Sequence, residues 1–232
     1  MIELVPALFD YYGSMMDDFR NNAKQLYGCR GIFIPAGTTP GIGVPNQIVP
    51  VIMNWTGAAG WLAKHYYDYY LFTGDQSFLK KKALPFMREA ALFYEDFLVV
   101  GEDGFYKFYP SVSPENTPEN FMPKGGEPLA HPMPTTVNAT ADFAIMKELF
   151  TNLIDGSLTI GESLQKIEEW KQILERIPPY QSMEMARFEN GCTQNLTIGI
   201  TIVICLIFIR FFQVRNLQEK NNQGYLRHSK QR

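Results

Sequence analysis

The sequence predicts an all-α protein of antiparallel helical hairpins, with a separate hydrophobic helix near the C-terminus. Apolar residues recur at three- and four-residue steps in five successive segments, the mark of helices with one buried face. The connections between those segments alternate long and short, as expected where neighbouring helices reverse direction. A distinct apolar run, 196–212, follows the fifth segment and sets the tail apart.

The first helix is expected over 6–27, where Phe9, Tyr12, Met15, Met16, Phe19, Ala23, Leu26 and Tyr27 share a side. A second, over 54–73, carries Trp55, Ala58, Ala59, Leu62, Tyr66, Tyr69 and Phe72, with Gly57 and Gly60 small enough for close packing. Gly74-Asp75 ends it and caps the next helix. The third spans 76–99 and is interrupted at Pro85, whose ring and missing N–H break a helix interior. The fourth, 138–155, has Asn138 as its expected cap, and the fifth, 161–177, stops at Pro178-Pro179. The long connections, 28–53 and 100–137, then emerge at one end of the bundle. Long irregular loops are more often functional than idle, so the site is expected there.

Composition narrows the function. The 232 residues are 46% hydrophobic and 14% aromatic, enough to bury a core, and the formal charge is −3. From Gly191 onward six Lys or Arg stand against one Glu, so the body before it is acidic. An acidic body argues against a nucleic-acid partner. Cys29, Cys192 and Cys205 have no metal-ligand spacing, and neither a metal nor a disulfide framework is expected. The 28–53 loop is rich in Gly and Pro, with a short strand expected at Ile32–Ile34. It lacks a Gly-Lys-Ser/Thr ending and strand-turn-helix surroundings, so no nucleotide cofactor is expected. Met1–Pro6 shows no secretory signal, leaving either a cytosolic chain or a start further upstream.

The stretch Tyr109-Pro110-Ser111-Val112-Ser113-Pro114-Glu115-Asn116 is the strongest chemical candidate. It sets one carboxylic acid in a stiff, aromatic loop, a mount that suits a proton donor with a raised pKa. The other reading of Pro114-Glu115 is the first turn of a short helix, where both residues are favoured. Sugar sites use aromatic planes and a few fixed polar groups, roles open to Trp55, His65 and Tyr109, with Ser113 and Asn116 beside the acid. Trp61 and His131 are weaker candidates. Asp142, one turn into a helix, is not an obvious second acid.

Several blocks in register resemble glycoside hydrolase family ninety-five, the inverting α-L-fucosidases and related enzymes. They are Tyr27-Gly28-Cys29-Arg30-Gly31, Trp61-Leu62-Ala63-Lys64-His65-Tyr66, Tyr70 through Leu79, Pro85 through Ala91, Ser111 through Asn116, and Pro178-Pro179-Tyr180-Gln181. The resemblance covers 5–181 and implies part of an (α/α)6 toroid, a carbohydrate substrate, and Glu115 as the general acid. The Pro35-Ala36-Gly37-Thr38-Thr39-Pro40 segment departs from the family pattern and leaves the sugar open. The resemblance further implies an Asn-rich motif upstream and an Asp downstream that ready the attacking water. Both fall outside the matching stretch, whereas inversion needs two carboxyls typically ~6.5–9.5 Å apart. No turnover is therefore expected from this chain alone.

Two units are expected: a partial catalytic domain over 1–181, and 182–232 as a hydrophobic, membrane-spanning helix with a basic tail. The basic residues beyond 196–212 suit a cytoplasmic end and place the body outside, making Asn54-Trp55-Thr56 and Asn195-Leu196-Thr197 glycosylation sequons. A membrane-tethered, non-catalytic carbohydrate-binding or interaction module is the alternative to an enzyme.

Overall fold

The computed structural model of the chain describes residues 2–112, 135–162 and 164–180. Eight α-helices and a small hairpin make up the described part: α1 Val5–Gly13, α2 Met16–Asn22, α3 Pro50–Asn54, α4 Ala58–Thr73, α5 Gln76–Phe78, α6 Leu84–Phe97, β1 Val99–Val100, β2 Tyr106–Lys107, α7 Thr140–Thr159 and α8 Leu164–Glu175. The expected hydrophobic helix at 196–212 lies outside the described residues. Among those described, no helix is long and apolar enough to cross a membrane.

The five periodic segments all become helical, with local irregularities that have physical causes. The first continues through a π-helical turn, Ala23–Tyr27, and stops where Gly28 turns left-handed. At the end of α4, Gly74 adopts φ 68° and its N–H returns to the Tyr70 carbonyl at 2.8 Å. Asp75 then accepts the Phe78 N–H at 3.0 Å and starts α5. A π-helical turn at Leu79–Ala83 joins α5 to α6 without a break, since Ala83 and Leu84 keep right-handed helical angles. Pro85, which has no N–H to donate, falls where that turn passes into α6, so the helix continues through it and is not split.

Contacts along the helices fix their directions. Asp10 pairs with Lys82, Arg20 with Glu89, and Tyr27 meets Phe97 edge-on, so the 5–27 stretch runs parallel to α6. Arg88 pairs with Glu162 and Glu95 with Lys166, so α8 shares that direction. The second set is α4 and α7, with Gly57 beside Asp142, Gly60 against Ile145, and Gly156 against Tyr67. It runs opposite to α6, since Tyr66 stacks on Phe86 at 4.3 Å while Tyr94 reaches back to Thr56. A Cβ on Gly60 would sit 2.6 Å from Ile145 Cγ2, so this glycine lets the two helices approach closely. Between the two sets lies one core in which Trp170, Tyr94, Phe19, Phe33, Phe93, Phe108 and Phe150 are fully buried.

Leu26 and Phe72, expected on buried helix faces, are exposed, and three local expectations of conformation also change. Ile32–Ile34 is not a strand: the Ile32 and Phe33 N–H groups bond the carbonyls of Glu89 and Phe19 at 3.1 and 3.0 Å. Gly31 permits this, since its φ of 71° and its seat against the α6 backbone leave no room for a side chain, whose Cβ would lie 2.7 Å from Phe93 N. Asn138 is not the cap of α7. It takes φ 60° and pairs with Phe108 in both directions, its N–H donating at 2.9 Å and its Oδ1 accepting at 2.8 Å. Trp55 lies before α4 in extended backbone, not on it.

Candidate functional site

The helix directions bring both long connections to the same end, and their described parts interlock there. From the first, Trp55 packs with Val112 of the second and Ile145 of α7, bordered by Val49, Ile52 and Ala58. The Tyr27 hydroxyl donates to the Met53 carbonyl, and the Tyr94 hydroxyl to that of Thr56 at 2.8 Å. Within the second connection, Ser111 and Thr136 exchange backbone hydrogen bonds at 3.1 and 2.8 Å. The residues just before and just after 113–134 are thus joined.

Asp142 sits beneath this junction with no exposure to solvent. The Ser111 hydroxyl, also fully buried, donates to its Oδ2 at 2.5 Å and accepts from the Ala139 N–H at 3.0 Å. Burial pushes the Asp142 carboxyl up to about 7, while the Ser111 hydroxyl, the Val112 N–H and the Trp55 indole pull it back. The indole N–H faces the carboxyl across Gly57, whose own Cβ would lie 2.7 Å from Trp55 Nε1 and 3.0 Å from Asp142 Oδ1. Neither of those two atoms completes a well-formed hydrogen bond among the described residues, and neither does the buried Thr56 Oγ1. Nearby, burial raises the Tyr27 and Tyr94 hydroxyls further above their ordinary range, and the Asp142 charge adds to this. The site can therefore hold a carboxyl proton near neutrality while its phenols stay neutral.

The residues singled out in the sequence fall in different surroundings. Trp55 is 9% exposed, its ring edge-on to Trp61 at 5.7 Å and its indole N–H turned inward to Asp142. Tyr109 is 62% exposed and precedes Ser111 by two residues, on the rim of the same end. His65 lies on an exposed part of α4. Its imidazole is held below its ordinary value, by partial burial first and by Lys64 next, with Asp68 opposing. Ser113, Glu115 and Asn116 lie outside the described residues, as does His131. Among the described residues no three His, Cys, Asp or Glu side chains converge to hold a metal. An open groove lined by Arg20, Lys81, Lys82, Phe86 and Glu89 lies on the flank of the bundle, where Arg20 pairs with Glu89 and Lys82 with Asp10.

Asp142 is the residue that the sequence reading passed over. Its spacing carried a signal, since it stands three, four and seven residues before Ile145, Met146 and Leu149, all buried. A carboxylate at the head of an apolar stripe is expected to be buried with a partner. The partner, Ser111, is 31 residues away in sequence.

Comparisons with known proteins give the chain's family and a likeness in fold. The family described as "Glycosyl hydrolase family 95 catalytic domain" matches residues 1–189. "Alpha-L-fucosidase 2" of Arabidopsis thaliana is 32% identical over 167 residues, which are 69% of this chain and 18% of that protein. The chain thus spans about a fifth of the length of the curated relative it matches. Among solved structures, a "Putative kojibiose phosphorylase from human microbiome" superposes with a TM-score of 0.57 at 14% identity, over 75% of this chain and 23% of that one. That likeness concerns the fold.

Proposed function

Because the chain belongs to the glycosyl hydrolase family 95 catalytic domain, we propose that it is part of a glycoside hydrolase of α-L-fucosidase type, in which Glu115 protonates the leaving oxygen. The helices, in this reading, form one arc of an (α/α)6 toroid, with the loop-bearing end as its sugar-facing rim. The observation that carries the proposal is the meeting of the two long connections at one end. There the chain passes from Tyr109 through the anchored Ser111-Val112 directly into Ser113-Pro114-Glu115-Asn116.

The chemistry follows from inversion. The Glu115 carboxylic acid gives its proton to the glycosidic oxygen as the bond to the anomeric carbon breaks, and a water adds from the opposite face and loses a proton to a base. Tyr109 suits a rim platform for an apolar sugar face, and Ser113 and Asn116 would hold hydroxyls beside the acid. His65, whose imidazole burial and Lys64 hold below its ordinary value, would hydrogen-bond a sugar hydroxyl. Trp55 would act from beneath, since its indole N–H is turned inward. The base is not assigned to any residue of this chain.

Calorimetry of the full chain with L-fucose, together with hydrolysis of an aryl α-L-fucoside, tests this reading. Fucose is expected to bind, and any turnover should fall by about a hundredfold or more in Glu115→Gln, the scale of a lost general acid. Absence of binding, or turnover indifferent to Glu115→Gln, would overturn it.

A further inference from the structure

We propose that Asp142 is a positioning residue: through the Ser111 hydroxyl it fixes the chain just before 113–134 against the first turn of α7, and so sets where the chain enters Ser113-Pro114-Glu115-Asn116. The catalytic consequence rests on the reading of Glu115 given above, whereas the anchoring does not.

The geometry is unusually complete at one residue. Ser111 has no solvent exposure, and four hydrogen bonds converge on it: two backbone bonds with Thr136, one accepted from the Ala139 N–H, and one donated to Asp142 Oδ2. A hydroxyl can donate once and accept at its lone pairs, so the Asp142 and Ala139 bonds use its donor and one acceptor together. Removing Asp142 would leave the hydroxyl proton without an acceptor in a buried place, and removing the hydroxyl would leave both Asp142 Oδ2 and the Ala139 N–H without their partner. Such losses cost more than the net worth of the bond.

The second anchor is Trp55. Its indole N–H and Asp142 Oδ1 face one another across Gly57, both buried and neither with a completed bond among the described residues. The carboxyl therefore lies between the end of the first long connection and the start of the 113–134 stretch, in contact with both. A purely space-filling residue at 142 could pack against Val112 and Ile145 but could not hold the Ser111 hydroxyl. The titratable groups coupled to this carboxyl from the neighbouring elements are the phenols of Tyr27, in the π-helical turn, and Tyr94, on α6. Both are pushed upward and remain neutral wherever Asp142 titrates.

Amide hydrogen exchange on the full chain, compared among wild type, Asp142→Asn, Asp142→Ala and Ser111→Ala, tests the anchor. Asp142→Ala and Ser111→Ala are expected to lower protection at Ser111, Thr136 and Ala139 by about tenfold or more, the scale of a buried hydrogen bond to a carboxyl, while amides of α6 keep theirs. Asp142→Asn, whose side-chain carbonyl still accepts from Ser111, is expected to retain protection at all three. The Trp55 indole N–H resonance should move with pH in the wild type and stay fixed in Asp142→Asn. Unchanged protection in Asp142→Ala, a loss shared uniformly with α6, or a pH-independent Trp55 resonance in the wild type would each overturn the proposal. Failure of fucose binding with the anchor intact would remove the functional reading alone, and failure of the anchor with Glu115-dependent turnover would remove only this one.

Discussion

The two ends of the helical bundle are built on opposite principles. At the end with short turns, Gly156 of α7 lies against Leu84, Tyr67 and Leu79, and Phe9, Tyr66, Phe78 and Phe86 stack or tilt against one another. Its turn at Gly74-Asp75 is closed by a left-handed glycine and a side-chain cap. At the end with long connections, a carboxyl, a hydroxyl and an indole N–H converge from three separate segments and are sealed from water. Asn152 and Ser157 also place polar atoms in α7 that have no hydrogen-bond partner among the described residues, but as neutral groups apart from that junction. Buried apolar contacts stabilise without direction, whereas buried polar groups stabilise only in one arrangement, so the second end gives up stability for a fixed geometry.

The largest effect that would sharpen this contrast is the pH dependence of stability at the polar end. The Asp142 carboxyl titrates near 7 when folded against 3.8 as its ordinary value, so between these pH values the folded chain holds a proton that the unfolded chain has lost. Its stabilising contribution is whole below about pH 4 and disappears as pH rises to 7, a fall of as much as ~4 kcal/mol. Urea unfolding at several pH values should show this slope in wild type and not in Asp142→Asn. Parallel profiles for the two would break the comparison.

At the apolar end, Leu84→Ala should cost about 3 kcal/mol, because a fully buried leucine leaves a cavity that the facing Gly156 cannot fill. The loss is expected to be independent of pH, which distinguishes it from the Asp142 term. A loss below about 1 kcal/mol in the same unfolding assay would show this end to be loosely packed. The smallest effect belongs to Asp75→Ala, which removes the cap of α5 and should cost about 1 kcal/mol, seen as a small drop in Tm. An unchanged Tm would mean that α5 is held by its packing alone.

The apolar end was the more legible of the two. Its helices follow from stripes such as Leu62, Tyr66 and Tyr69, and its turn from Gly74-Asp75, because periodicity and capping act over a few residues. The shared placement of the long connections was legible too, as alternating connection lengths constrain antiparallel neighbours. Less of the polar end could be read. Asn138 had the sequence of a helix cap and instead pairs with Phe108, which lies 30 residues earlier. Trp55 continued the stripe of α4 but leaves the helix to face Asp142. The β1–β2 hairpin, closed through Gly101 and Gly104, fell inside what reads as an irregular connection.

Helix positions, most of the core-facing residues and the end that bears the loops were therefore written into the order of apolar, glycine and capping residues along the chain, since each depends on neighbours within a turn or two. Leu26 and Phe72, in step with the buried stripes yet exposed, mark where periodicity alone misleads. Which buried atoms meet was decided only by folding. Ser111 and Asp142 gain their meaning from a contact spanning 31 residues, and a carboxyl acquires a proton near neutrality only once surrounding side chains have excluded water from it.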